Sequence, residues 1–551
     1  MNKNRRFILT FLLPMLFLMG LFFGTNNAKS KSILSVIREN LTIFGEIYKA
    51  IPDRYVDEVD SERLFQAAIN GMLSTLDPYT TYIEQEDQHD LQIITQGNYG
   101  GVGLLLSNRN GMVTVGDPPF LNTPAARAGI REGDIIIKVD DTLTSQIGFD
   151  ETARSVRGPA GTEVTLTIIR EGEGKELVFT LIREKITIDD VDYSGILNND
   201  IGYIRLIRFS KNAGSEVSRA IEELKTKNMK GLILDLRSNP GGLLDAAVDV
   251  SDLFLPQNLT IVSTRGRANN SIHTFQSERK PQYGEGPLVV LVDQYSASAS
   301  EIVAGAIQDH DRGIVVGDTT FGKGLVQSVI TLQGTNALLK ITTAKYYTPS
   351  GRCIQTSNYS EWDRADTTVD NLIYQTDSGR SVQGGGGIAP DIIIEPLLLN
   401  DLLLDLQRKS LPFNFAVHYA STHSVTDSNF QVTNAIFQEF IDYLREKEYD
   451  YRHPLESSLN IFRNEAVQNG YGNVLIEDIN RFQQSLNRSK EDMITNNSEN
   501  IRKLLSQELS TKLFGKEKGV EINLQDDPAV QKAFDLINNT ALYASILRQS
   551  G

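Results

Sequence analysis

Two short stretches of this sequence carry residue types that can break and remake acyl bonds. The first, Tyr295-Ser-Ala-Ser-Ala-Ser-Glu301, offers three hydroxyls, Ser296, Ser298 and Ser300, just after the apolar run Pro287–Asp293. A hydroxyl where a strand turns into a helix lies beside uncommitted helix N–H groups and the positive end of the helix dipole. That setting suits both a nucleophile and a developing oxyanion. It suits a helix cap equally well, and Ser298 with Glu301 matches the S-x-x-E capping box. The second stretch, Gly317-Asp-Thr-Thr-Phe-Gly-Lys-Gly-Leu-Val-Gln327, sets Lys323 between two glycines. From Gly317 to Lys323 it reads G-x-x-x-x-G-K, as a phosphate-cradling loop does. Three features oppose a nucleotide there. Gly324 stands where a magnesium-binding Ser or Thr is needed, and the residues after it alternate like a strand, leaving no helix N-terminus for a phosphate. The run Gly231–Leu236, whose Asp235 would support a metal, precedes the loop instead of following it.

Lys323 has other chemistry open to it. If residues 323–327 are extended, Lys323, Leu325 and Gln327 share one face. Gly322 and Gly324 would let another backbone approach the ammonium closely. A lysine at its ordinary pKa of about 10.4 is a poor base at neutral pH. Burial in a dry pocket frees the amine to accept a proton, and a serine paired with such a lysine forms a Ser-Lys dyad. His310 is the rival base. It lies about three helical turns beyond Ser298 on the same helix and is expected to end that helix in solvent, near Asp309 and Asp311.

The elements that must position these groups are legible as patterns. Residues 31–95 repeat apolar positions at three and four, through Ile33, Val36, Ile37, Leu41, Phe44, Ile47 and Ile51, and read as helices, with Ser61 and Glu62 as start signals for the second. From 97 to 185 short strands alternate with glycine turns in a compact module of about 90 residues. From 186 to 395 strands alternate with helices, as in a layered α/β domain with partly parallel strands. Residues 396–551 are helical and charged, with no chemistry motif.

The whole chain sets further bounds. Its 551 residues allow three or four domains, and a net charge of −16 argues against nucleic acid as a partner. Cys353 is the single cysteine, and no histidine or cysteine spacing fits zinc, so no metal and no cofactor is expected. Residues 7–24 carry no charge and follow Lys3, Arg5 and Arg6, as in a signal peptide or an uncleaved inner-membrane anchor within residues 1–28. The body is therefore expected in the cell envelope or periplasm.

Five separated blocks, "SASASEIVAGAIQD", "GDTTFGKGLVQ", "YYTPSGRCIQ", "DLRSNPGG" and "AINGMLSTLDPYTTYI", together with "GGVGLLL" and "TPAARAGIREGDIIIKVD", resemble the signatures of the carboxyl-terminal processing (tail-specific) proteases, over about residues 35–395. The resemblance implies a multidomain α/β (α+β) protein: a helical region at 31–95, an inserted PDZ domain at 97–185, a crotonase/ClpP-like protease core at 186–395 and a helical extension at 396–551 outside the shared blocks. It implies a serine endopeptidase with Ser298 as nucleophile, Lys323 as general base and Gln327 orienting that lysine. The N–H groups of Ala299 and of Gly241 or Gly242 would form the oxyanion hole. Cys353 stands where relatives often have serine. In the PDZ, Gly101, Val102, Gly103 and Leu104 would bind the terminal carboxylate of an apolar protein tail while the next strand pairs with its backbone. Arg157 is a candidate contact between PDZ and core. Self-association through the two helical regions is expected. The competing readings are a non-catalytic PDZ scaffold and, third, a P-loop-like NTPase.

Overall fold

The computed structural model describes residues 33–84, 88–197, 200–268, 272–356, 372–395, 400–425, 430–451 and 453–548. The apolar run 7–24 lies outside them. Two compact units divide the chain, residues 1–82 and 83–551. In the first, α1 (Ile33–Arg54) buries none of its residues, and Ile33, Leu34, Leu41 and Ile47 are all exposed. The following α2 (Ser61–Leu73) is capped by Asp60, whose carboxylate accepts from the Glu62 and Arg63 amides, so Ser61 is the first helical residue and not the cap.

The second unit opens with α3 (Gln88–Gln96) and then the 97–185 module. The strands β1 (Asn98–Gly101) and β8 (Glu184–Thr187) pair antiparallel, so the chain entering the module and the chain leaving it form one ribbon, a stem. Between them a sheet runs in the order β2 (Leu106–Arg109), β3 (Met112–Val115), β4 (Ile135–Val139), β6 (Glu163–Ile169), β7 (Leu177–Ile182), with the short β5 (Thr142–Leu143) on β4. The helix α4 (Pro124–Ala128) ends at Gly129 with φ 80°, and α5 (Thr144–Val156) is broken at Gly148. Val164, Leu166 and Ile168 alternate into the module's core, as their period of two predicts.

The 186–395 region is built on a six-stranded sheet in the order β9 (Val191–Leu197), β10 (Ile201–Leu206), β11 (Gly231–Asp235), β14 (Leu288–Val292), β15 (Ile314–Gly317), β20 (Ile392–Ile393). β9 is antiparallel and the other pairings are parallel. On one face Leu232, Leu234, Val290 and Val315 pack against α6 (Ala213–Thr226), α7 (Leu244–Asp252) and α8 (Ala299–Asp309). A second sheet joins β12 (Thr260–Arg265), β13 (His273–Gln276), β16 (Leu325–Thr331) and β17 (Leu338–Tyr347), with the small hairpin β18 (Ile373–Gln375), β19 (Ser381–Gln383) beyond.

The C-terminal extension comprises α9 (Asp401–Arg408), α10 (Leu411–Thr422), α11 (Asn434–Glu446), α12 (Pro454–Gln468), α13 (Gly472–Asn496), α14 (Ser498–Phe514), α15 (Lys516–Gln525), α16 (Pro528–Asn538) and α17 (Thr540–Leu547). Its last helices are not an appendage. The other face of the six-stranded sheet, Tyr203, Ile233, Val289, Leu291 and Val316, packs against Val530, Ala533, Phe534 and Ile537 of α16. A Cβ on Gly231 would lie 2.4 Å from Ile537 Cγ2, so strand and helix touch. Parallel strands buried on both faces read as unbroken apolar runs; here the helix that covers the second face comes from nearly 240 residues downstream of Val289.

Candidate active site

The three serines of the 295–301 turn have different environments. Ser296 and Ser300 are fully buried, and their hydroxyls donate to the Leu236 carbonyl at 2.8 Å and the Asn239 carbonyl at 3.0 Å. Both are tied to the loop that follows β11. Ser298 is half-buried and has φ 56°, ψ −109° at the start of α8, a conformation an L-residue adopts only when its surroundings impose it.

The imposing group is Glu301. It is fully buried, and one oxygen, Oε2, accepts from the Ser298 amide at 2.7 Å and from the Lys323 amide at 3.0 Å. The other, Oε1, accepts from the Thr320 hydroxyl at 2.6 Å and the Gly322 amide at 2.7 Å. Burial pushes the carboxyl pKa up, while these four donors oppose the shift. The capping box is therefore real, but its acid also clasps the lysine loop. Ser298 and Lys323, 25 positions apart in sequence, hang from a single carboxylate oxygen.

The glycines around Lys323 are required by contact. Gly322 has φ 83°, and a Cβ there would meet Thr356 Oγ1 at 1.7 Å; a Cβ on Gly324 would meet the Gln355 amide nitrogen at 2.9 Å. The backbone that approaches is thus the 351–356 segment. Gln355 Oε1 accepts from the Gly324 amide at 2.8 Å. Three residues before it, Arg352 is wholly buried and donates to Asp309 and Gln308, both at 2.7 Å, which locks this segment to the far end of α8. Lys323 itself precedes β16 in a loop, so only Leu325 and Gln327 of the expected extended face lie in the strand. A register shift between Val326 and Gln327 further breaks the alternation. The Gln327 side-chain amide donates to Thr342 Oγ1 at 3.3 Å.

The glycine loop meets the serine turn directly. A Cβ on Gly241 would lie 2.9 Å from Ser298 Cβ and 2.9 Å from the Ala299 nitrogen. The Ala297 amide donates to the Asn239 carbonyl at 3.0 Å, which fixes the two turns together. The Gly241 amide donates to Asn239 Oδ1 at 2.9 Å. The amides of Gly242 and Ala299 donate no hydrogen bond among the described residues. Asp235, the acid a nucleotide site would need for a metal, is instead buried against Arg237 at 2.6 Å and the Tyr203 hydroxyl at 2.6 Å. Burial raises its pKa, but the Arg237 charge and these hydrogen bonds outweigh burial and hold it below the usual carboxylate range. Arg237 also pairs with Asp527, the N-cap of α16, at 2.7 Å. His310 does not end α8 in solvent: Nε2 lies 2.7 Å from the Thr260 carbonyl and Nδ1 2.7 Å from Asp377, in a pocket that leaves its side chain 8% exposed. Its two ring nitrogens are engaged at the opposite end of the helix from Ser298.

In the 97–185 module, Val102 and Leu104 point into the core, and the carbonyls of Val102 and Gly103 accept from Ala125 and Phe120. The amides of Val102, Gly103 and Leu104 donate no hydrogen bond among the described residues. Gly103, with φ 85°, has its Cα against Thr123, where a Cβ would sit 2.3 Å from the side chain. β2, the strand that follows, is an edge of its sheet. Arg157 stacks near Tyr99 of the stem, 5.7 Å from the ring centroid.

Comparison with known proteins places the chain in a family. Peptidase family S41 matches residues 200–360, a PDZ domain 121–170, the activating protease CtpB N-terminal domain 23–87, and a probable PDZ-protease C-terminal helical domain 402–537. The chain is 42% identical over 349 residues to a carboxy-terminal-processing protease of Bartonella bacilliformis, covering 63% of this chain and 78% of the relative. The chain belongs to the carboxy-terminal-processing proteases. A probable CtpA-like serine protease of Staphylococcus aureus is 34% identical over 352 residues, 64% of this chain and 69% of that one. A solved photosystem II D1 C-terminal processing protease is 27% identical, covering 66% of this chain and 95% of that chain, with a TM-score of 0.35. This member of the family is a serine-type peptidase with an α/β protease core, a PDZ domain and a helical C-terminal region. The scaffold and nucleotide readings are not favoured. The sequence pattern did not reveal Glu301 as the clasp of two loops, nor Asn239, Arg352 and Gln355 as supports. Their one visible signal was that each lies inside a quoted block.

Proposed function

We propose that Ser298 and Lys323 form the Ser-Lys dyad of an endopeptidase that selects proteins by their exposed apolar C-terminal tails. The observation that carries this reading is the shared Glu301 oxygen, which brings the two loops together. Ser298 Oγ attacks the scissile carbonyl carbon while the neutral amine of Lys323 takes its proton. The tetrahedral oxyanion is held by the Ala299 and Gly242 amides. As the C–N bond breaks, Lys323 returns the proton to the leaving amine. Water then enters and gives a proton to Lys323 as its oxygen attacks the acyl carbon; the bond to Ser298 Oγ breaks, and Lys323 returns that proton to the departing Ser298 oxygen, restoring the dyad. Gln327, at the start of β16, orients Lys323. Gly241, whose amide serves Asn239, shapes the loop that presents Gly242.

Domain limits of 31–95, 97–185, 186–395 and 396–551 fit this reading, and the hydrogen-bonded stem supports treating the PDZ as one insertion. The tail carboxylate would sit on the amides of Val102, Gly103 and Leu104 beside Gly101, with the tail added to β2. The basic flank and apolar run of residues 7–24 support an envelope location, as a signal peptide or anchor. The exposed apolar residues of α1 support self-association. The test of the dyad is labelling with a fluorophosphonate followed by peptide mapping. The adduct is expected on Ser298 and is expected to vanish in Lys323→Ala; an adduct on Ser296 or Ser300, or undiminished labelling of the variant, overturns the assignment.

A further inference from the structure

The C-terminal helices grip the PDZ, and they do so along one face of α10. Its approach begins at the edge strand: the Arg109 guanidinium, at the end of β2, lies 3.5 Å over the Phe413 ring, and Asn110 Nδ2 donates to the Lys409 carbonyl at 3.0 Å. One turn on, a Cβ at Gly133 would meet Val417 Cγ2 at 2.6 Å. Next to it His418 Nδ1 lies 3.2 Å from Glu171, in the turn between β6 and β7. Phe413 and Val417, four positions apart in α10, face the PDZ together, and Lys409 meets it from the junction before that helix, where Ser410 is left-handed at φ 51°. From α14, Lys512 pairs with Glu132 at 3.6 Å, and Glu508 lies beside Arg109.

This dock stands in the path of the substrate. A tail whose carboxylate sits at Gly101–Leu104 and whose backbone pairs with β2 must run antiparallel to that strand. Its upstream residues therefore leave past Arg109. At about 3.3 Å per residue, roughly five tail residues reach from Leu104 to Arg109. The next ones arrive at Asn110, Lys409 and Phe413.

We propose that the junction of α9 and α10 closes the upstream end of the PDZ tail groove, so that a protein tail engages the PDZ fully only by displacing the C-terminal helical region from it. The helices thereby distinguish a tail on a chain from a short free peptide. This inference rests on the tail-binding reading of the PDZ.

The test uses the full chain carrying Ser298→Ala, so that bound peptides stay intact, and two fluorescein-labelled peptides with the same apolar C-terminus, of about four and about ten residues. Affinity is read by anisotropy and local opening by hydrogen exchange of residues 409–417 and 508–512. The short peptide is expected to bind without changing exchange there. The long one is expected to bind about threefold more weakly and to speed that exchange. Arg109→Ala with Asn110→Gly, which keeps the left-handed turn at 110, is expected to equalise the two affinities. Equal affinities with unchanged exchange, or tighter binding of the long peptide with slower exchange, overturn the proposal. Failure of both peptides to bind overturns the tail reading itself.

Discussion

At the scale of residues, the site is organised around a buried acid more than around its nucleophile. Glu301 receives four donors on two oxygens, and no rotation of an amide could accept from all four. Glu301→Gln would turn an NH2 group toward either the Ser298 and Lys323 amides or the Thr320 and Gly322 donors. Unpaired buried donors of this kind cost about 1–3 kcal/mol each. Turnover of a peptide substrate by Glu301→Gln is expected to show kcat lowered about a hundredfold, about 2.7 kcal/mol in barrier, with KM little changed, because the residue acts through the two loops. Equal kcat would show that the clasp is dispensable. Ser296 and Ser300 make the complementary case. Both serve as buried struts, so Ser296→Ala is expected to lower thermal stability, each lost bond being about 1 kcal/mol, and to leave kcat within a few-fold of the parent. The residue types at this site were readable from the sequence because glycine, serine and lysine at fixed spacing have few uses in common. The clasp was not, since a capping box looks identical whether or not its acid has further partners.

At the scale of elements, the sequence displayed each strand and helix but hid one partnership. The run Leu288–Val292 is apolar at every position and is buried at every position. That pattern says that both faces are covered without saying by what. The helices α6, α7 and α8 were visible within the domain as the cover for one face. The cover for the other, α16, lies in a region that reads only as helical and charged, because its apolar stripe of Val530, Ala533, Phe534 and Ile537 resembles that of any amphipathic helix. Phe534→Ala is expected to cost the protease core about 3 kcal/mol or more in denaturant unfolding. Loss confined to the extension, with the core's transition unmoved, would contradict the three-layer account. The Arg237–Asp527 bridge ties the same helix to the loop that carries Gly241 and Gly242.

At the scale of the whole molecule, the extension touches both working parts, the core through α16 and the PDZ through α10 and α14. The PDZ contact contains a titrating group. Glu132 is buried beside Lys512, with Asp117 and Glu508 near it and Arg109 beyond, and burial pushes its carboxyl up to about 7 against the Lys512 charge. A carboxyl whose pKa is higher when docked favours docking most when protonated. That contribution is complete below the ordinary value near 4.3 and is lost as pH rises through about 7. Hydrogen exchange of residues 409–417 is therefore expected to quicken, beyond its intrinsic pH dependence, between pH 5 and pH 7.5, and Glu132→Gln is expected to flatten that trend. No group of histidine, cysteine, aspartate and glutamate among the described residues could hold a metal ion. Proteolysis is accordingly expected to survive EDTA unchanged, and loss restored by zinc would refute that. The central claim is the pairing of Ser298 with Lys323, and it is tested most directly by turnover of unfolded casein by Lys323→Ala, with its thermal unfolding matched to the parent. The account predicts a folded protein whose kcat/KM falls by about a thousandfold or more; a folded variant that digests casein at close to the parent rate would contradict it.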